Sequence, residues 1–274
     1  MNYPNMRMII DNLHDTATLT ATSQALPIAY TQRSGRTYVY RSTSTATQVI
    51  TGTLPSVQPL DGGVVYRHNL SPTAMIRWEF LANGSVVYDS GTVSTAYLVT
   101  PPNLRVGIDP WGLTYANALP ANQTVHWPGL QFADQYRITI SDPANPDGYI
   151  EIGRIVIGFA FSPVYNPAYG LSLTWQENAE QVRTEGGSLR TITSNSQSRL
   201  LNIDLNFLEG GDRTRLTTDL VKVGKQGDIF VSVYPEQGGI KELEHSFIAR
   251  RENDYGHSAR FYNIWQSQLS LAEV

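Results

Sequence analysis

The residues that could do chemistry in this chain are few and far apart. Its five histidines, His14, His68, His126, His245 and His257, show no ligand spacing, and His-Glu-x-x-His does not occur. Cysteine is absent, which removes disulfides, thiolate nucleophiles and Cys-built zinc sites together. No Gly-x-Ser-x-Gly is present to form a hydrolase elbow. Gly224-Lys225 is followed by Gln226, where a phosphate-binding loop needs Ser or Thr.

Two acidic groupings come closest to a site. Asp142, Asn145 and Asp147 fall at positions one, four and six of a short stretch interrupted by Pro143 and Pro146. An EF-hand loop spaces its first ligands at one, three and five, with Gly at six. A turn between strands fits better, with a structural calcium as the alternative. Glu177 and Glu180 could form a carboxylate pair of the glycosidase kind, but they sit in a polar stretch after a strand. Nucleophile, base and orienter are nowhere supplied together. The expectation is a protein that is not an enzyme, with no metal and no cofactor.

The aromatics offer more. Trp111, Tyr115 and Trp127 fall in the stretch 100–130, which Pro101-Pro102, Asp109-Pro110, Leu119-Pro120 and Trp127-Pro128-Gly129 break up. A long excursion of this kind is functional or disordered, and its ring content favours function. Three roles stand open for these rings: a hydrophobic plug holding the loop down, a subunit interface, or a platform on which a sugar stacks.

The elements that must position them are strands. Apolar and polar residues alternate in 75–80 and 135–140, and β-branched or aromatic residues fill 48–50, 63–66 and 86–88. Asn83-Gly84 joins two such runs, the strongest short hairpin signal, and Asp89-Ser90-Gly91 suggests a further turn. Residues 149–161 form a long apolar run with bends expected at Gly153 or Gly158. The proline-rich 162–170 is the best linker. Beyond it, strands are expected at 171–175, 182–192 (with a turn at Gly186-Gly187), 198–208, 229–234, 243–251, 259–265 and 269–272. Leu201, Ile203, Leu205 and Phe207 should share one face. One helix is expected over 212–224, capped by Asp212, striped by Leu216, Leu220 and Val223, and stopped by Gly224.

Composition agrees with two packed β cores. Hydrophobic residues make up 41% and charged residues 16% of 274, so much of the surface must be Ser, Thr, Asn, Gln and Gly, as suits permanent assembly partners. The net charge of −4 and the lack of a basic stripe argue against nucleic acid. Only Met8-Ile9-Ile10 is apolar near the N-terminus, too short for a signal peptide, and no run approaches the roughly 18 apolar residues of a membrane span. Synthesis in a cytoplasm without N-terminal export, and no membrane insertion, are the expectations. The fold class expected is all-β: a sandwich over 1–165 and a smaller β domain with one short helix over 166–274.

Residues 8–162 resemble a galactose-binding-like jelly roll. The likeness rests on Arg41-Ser42-Thr43, Tyr66-Arg67-His68-Asn69-Leu70, Ile76-Arg77-Trp78-Glu79 and Asn83 through Gly91, closing with Tyr136 through Asp142 and Ile152 through Gly158. Followed by a strand-rich module with one helix, this order resembles distal-tail-type minor proteins of long-tailed phages. The resemblance implies a homo-oligomeric ring between tail tube and host-binding hub or fibre, assembled in the host bacterial cytoplasm and residing at the virion tail tip. It also implies an alternative: a carbohydrate-binding adhesion module that contacts host-surface glycan. It transfers no site residue, because fold alone does not settle function.

Overall fold

The computed structural model describes residues 4–95, 122–167 and 170–274. The strands in chain order are β1 (Arg7–Ile9), β2 (Thr18–Ala21), β3 (Tyr40–Arg41), β4 (Gln48–Leu60), β5 (Gly62–His68), β6 (Met75–Ala82), β7 (Ser85–Ser94), β8 (Gln123–His126), β9 (Gln131–Ser141) and β10 (Glu151–Gly158). Then follow β11 (Ser172–Arg183), β12 (Leu189–Glu209), helix α1 (Gly210–Val223), β13 (Ile229–Ser232), helix α2 (Gly239–Glu244), β14 (Ser246–Arg251), β15 (His257–Phe261) and β16 (Ile264–Glu273). The fold is all-β, with two short α-helices among the described residues. It packs as two compact units, one of Met1–Ser162 with Phe230–Phe247, the other of Pro163–Ile229 with Ile248–Val274. The segment 230–247 thus packs with the first unit, although the chain reaches it after the linker.

The first unit is the expected sandwich. An antiparallel sheet in the order β2-β4-β9-β6-β7 faces one in the order β3-β10-β5-β8. The alternation read in the sequence is what fills the space between them: Ile76, Trp78 and Phe80 of β6 and Tyr136, Ile138 and Ile140 of β9 meet Val65, Ile152, Ile155 and Ile157 from the other sheet. Trp78 needs a bare backbone opposite, since a Cβ at Gly63 would lie 2.7 Å from its ring. The ring of His126 stacks beside it at 6.0 Å and 11°. Asn83 and Gly84 both take left-handed φ, 50° and 79°, the conformation a two-residue hairpin turn demands. β1 pairs with the Phe230–Ser232 part of β13.

Asp89-Ser90-Gly91 is not a turn. β7 runs through it with a bulge, Gly91 at φ 62° and the pairing shifted between Arg77 and Glu79. The irregular stretch 100–130 also contains a strand, β8, which pairs with β5 from Gly63↔His126 to Tyr66↔Gln123.

In the second unit β14, β16, β12 and β11 follow in antiparallel order, with β15 also on β16. Leu201, Ile203 and Leu205 are buried as expected, but Phe207 is 46% exposed. The pairing of β12 with β16 shifts between Leu205 and Leu208, which turns Phe207 outward and puts Leu208 inside. The run 259–265 is two strands, broken by a turn in which Asn263 takes φ 56°. The run 243–251 begins in α2 and becomes strand only at Ser246; Gly238 at φ 68° caps that second helix and Gly239 at φ 67° begins it. Helix α1 is capped at Glu209 rather than Asp212, whose carboxylate accepts instead from the backbone N–H of Val164 at 2.8 Å.

A buried polar network laces the first unit. The Arg154 side chain on β10 is only 3% exposed and makes a two-pronged ion pair with Asp15, both contacts at 2.7 Å. It also donates to the carbonyl of Thr31 at 3.0 Å. Asn12 bonds the β10 backbone at Ile155 and Ile157. His14 lies fully buried between Tyr136 and Thr31. The Thr31 hydroxyl donates to the Ile28 carbonyl, so it accepts from His14 Nε2–H, and the Tyr136 hydroxyl donates to Nδ1. Burial, aided by the Arg154 charge, holds the His14 pKa down to about 3, and burial holds that of His68 down to about 4.

These imidazoles refuse a proton that the unfolded chain accepts near pH 6.5. The stability they confer is complete above that pH and is lost as the pH falls through 6.5 towards their folded values. Urea midpoints are expected to fall steadily between pH 7 and 4.5, and His14→Gln is expected to flatten that slope. A midpoint independent of pH over this window would show that neither imidazole is held neutral.

Candidate functional site

One end of the sandwich gathers its long connections: 22–39 leading into β3, 42–47 after it, 69–74 between β5 and β6, and 142–150 between β9 and β10. Thr95 and Asn122, which flank the stretch 96–121, stand at the same end, Thr95 bonded to Ala74 and Asn122 to His68. Trp111 and Tyr115 lie outside the described residues.

The turn 142–148 is fastened from within. Asp142 is fully buried and accepts from the Ser71 N–H at 2.8 Å, from the Ser71 hydroxyl and from Asn145 Nδ2 at 2.9 Å. Asn145 also donates to the Asn69 carbonyl at 3.1 Å. Asp147 turns away to Asn69 Nδ2 at 2.8 Å. The acidic stretch is therefore a turn that clamps two loops together. Among the described residues no cluster of three or more His, Asp or Glu could hold a metal.

Above this clamp sits a group that the sequence reading did not single out. Arg41 on β3 and Glu151 on β10 are partners in register, 110 residues apart in the chain. Arg41 donates from Nε at 2.9 Å and Nη2 at 2.7 Å, both to Glu151 Oε2. The guanidinium carbon lies 4.2 Å from the ring centre of the half-buried Tyr149. Asn69 fixes the backbone around it, donating to the Tyr149 carbonyl at 3.0 Å and accepting from the Glu151 N–H at 2.8 Å. Among the described residues nothing takes up Glu151 Oε1 or the Nη1 hydrogens of Arg41. The Glu151 and Arg41 side chains remain 26% and 39% exposed. Such a pair, side by side and next to an aromatic ring, can receive and give hydrogen bonds to neighbouring hydroxyls. Nearby in sequence, Tyr30 and Tyr38 meet edge to face at 5.5 Å with the exposed Arg33 over both rings.

Trp127 sits elsewhere. It follows β8 at the end of that strand away from Asn122, half-buried, with Arg7 at 4.8 Å from its ring and Phe230 at 6.4 Å. A Cβ at Gly62 would fall 2.4 Å from its ring, so the indole rests directly on the β5 backbone. Glu177 and Glu180 stand exposed on β11, where Gln197 bonds Glu177. No local motif marks Arg41, Asn69, Tyr149 and Glu151, because only strand register brings them together.

No protein-family model matches the chain, and no curated protein matches it. Solved structures do. The module CpGH89CBM32-5 of Clostridium perfringens, in complex with GalNAc-beta-1,3-galactose, is similar over 54% of this chain and 100% of its own, at 8% identity and TM-score 0.36. The family 32 carbohydrate-binding module of Clostridium perfringens NanJ, in complex with galactose, covers 53% of this chain and 96% of its own at 12% identity and TM-score 0.37. A fucose-binding module of Streptococcus pneumoniae covers 54% and 98% at 10% identity and TM-score 0.37. At these identities and scores no residue role passes from them to this chain.

The two polar groupings differ in what they do for the fold. Asp142→Ala leaves buried donors without an acceptor and is expected to lower stability by about 1–3 kcal/mol. Arg41→Ala removes one side of an exposed pair and is expected to change stability by less than about 1 kcal/mol. Urea unfolding of the two variants checks the ordering, and an equal loss in both would show that the Arg41–Glu151 pair is structural.

Proposed function

We propose that this protein binds carbohydrate at the loop end of its first unit. The observation that carries the reading is the half-used Arg41–Glu151 pair beside the Tyr149 ring. Vicinal hydroxyls of a sugar need a donor and an acceptor at close spacing, and the less polar face of a sugar ring needs an aromatic surface. Nη1 and Oε1 supply the donor and the acceptor without a buried charge, since each ionic group already has its partner, and Tyr149, with Arg41 over one face, leaves its edge and other face as the aromatic surface. Thr95 and Asn122, which flank the stretch bearing Trp111 and Tyr115, stand at this end. Galactose-, GalNAc- and fucose-terminated glycans are the first probes. Titration of the full chain is expected to show binding that Arg41→Ala and Tyr149→Ala each weaken at least tenfold, about 1.4 kcal/mol. Glycan binding that both variants retain in full would remove this site, and no binding on a broad array would remove the reading.

A second reading is favoured by one feature of the second unit. β11 pairs with β12 and, at the end of the strand order, forms a sheet edge. The β11–β12 hairpin continues beyond Leu200↔Ala272, the outermost pairing of β12 with β16. Along it Val182, Leu189 and Ile192 are 45%, 53% and 64% exposed. An edge strand with apolar neighbours suits pairing with another copy in a closed ring, as in the tail tip of a long-tailed phage. This reading makes the protein a virion component that contacts tail tube and host-binding apparatus, with the sugar site facing the host surface. Light scattering of the purified chain is expected to show an oligomer that Ile192→Asp dissociates; a monomer at high concentration would count against self-assembly.

A further inference from the structure

The second unit carries a groove of about 470 Å³ on the sheet formed by β12, β16 and β15. Asp204, Asn206, His257, Ser258, Gln266 and Gln268 line it. Register brings them together: Asp204 stands opposite Gln268, and Ser258 opposite Gln266. Two irregularities open the surface there. The β12–β16 ladder shifts between Leu205 and Leu208, the β15–β16 ladder between Ala259 and Phe261, and both shifts fall opposite residues 264–267 of β16.

Exposed aromatic rings stand close to Asn206 and Ser258 in sequence. Phe207 follows Asn206, and Arg260, two residues beyond Ser258, lies 5.5 Å from the Phe207 ring and 5.9 Å from that of Phe261. Tyr165 meets Phe207 edge-on at 6.5 Å. Phe207, Tyr165 and Phe261 remain 46%, 51% and 63% exposed, although none of them fills a core.

We propose that this groove is a second carbohydrate site, shaped for an uncharged oligosaccharide chain. Its volume falls within the range of about 300–1,000 Å³ usual for ligand pockets, yet its lining is the reverse of the usual apolar one. Amides and hydroxyls dominate, each able to donate and accept, which matches a row of sugar hydroxyls. Among the described lining residues Asp204 is the one carboxylate and none is Lys or Arg, although Arg213 reaches the lining His257 at 3.4 Å, so the groove gives no match to a polyanion or a polycation. The exposed rings beyond the amides offer sugar faces a surface to stack on. The proposal goes beyond the preceding one: it concerns the other unit and shares no residue with the Arg41–Tyr149 site.

The test is calorimetric titration of the full chain with cellohexaose, maltohexaose and chitohexaose. At least one hexasaccharide is expected to bind, with affinity falling tenfold or more in Gln266→Ala/Gln268→Ala and in Phe207→Ala, and unchanged in Arg41→Ala/Tyr149→Ala. No binding of any of the three overturns the proposal. So does binding that both groove variants retain, or binding that only the Arg41→Ala/Tyr149→Ala variant loses, which would assign the sugar to the first unit alone. If the double variant fails to match the parent by circular dichroism, the half-exposed Phe207→Ala decides by itself, and full affinity there is the overturning result.

Discussion

The arrangement of the first unit depends on one buried charge. Arg154 sits on β10, the strand enclosed within its sheet, and a guanidinium removed from water must be paired and hydrogen-bonded. Asp15 and the Thr31 carbonyl meet that demand, and both come from outside the sheets. To deliver them, the segments 12–16 and 28–32, on either side of β2, must lie against β10. Asn12 fixes that path by bonding the β10 backbone twice, and His14 closes it by joining Thr31 to Tyr136 of the opposite sheet. The network is thus a positioning device whose parts are mutually required, and removing one partner strands the others.

The open pair at the loop end inherits its geometry from this lacing. β3 enters the sheet just after the 22–39 connection, beside β10, and Arg41 meets Glu151 only because β3 and β10 are held in register. The contrast between Asp142 and Glu151 shows how burial separates roles among like residues. Asp142 has no exposure and its oxygens are engaged by Ser71 and Asn145, so it can only hold loops together. Glu151 is partly exposed and shares one oxygen with Arg41, and among the described residues the other oxygen has no hydrogen-bond partner. In the second unit the same distinction appears between Leu205 and Phe207, two residues apart on one strand and placed on opposite sides of a bulge.

Much of this was legible in the sequence, for a physical reason. A strand with one face buried must alternate, so Ile76, Trp78 and Phe80 disclosed β6, and Asn83-Gly84 disclosed its hairpin because few other residue pairs tolerate two left-handed conformations in succession. Leu216 and Leu220 disclosed α1 in the same way. What stayed hidden is what local pattern does not encode. A bulge adds one residue and reverses the expected face after it, which is why Phe207 parts from the face of Leu205, while Asp89-Ser90-Gly91 has the composition of a turn and forms a bulge instead. Helix α2 is too short to show a period, and β8 is four residues in a proline-rich setting. Arg41 and Glu151 look like two ordinary strand charges until tertiary pairing sets them side by side.

The allegiance of residues 230–247 has a consequence for how the protein is made. β1 finds its partner strand near the far end of the chain, and the first unit is unfinished until that segment arrives. On a ribosome β1, held until then by the bridge between Met8 and Phe161, would wait for β13 while the whole of 163–229 is synthesised. Two units connected by three chain crossings rather than one also cannot be separated by a single cut at the linker, because an N-terminal fragment ending at Ser162 would lack part of its own architecture.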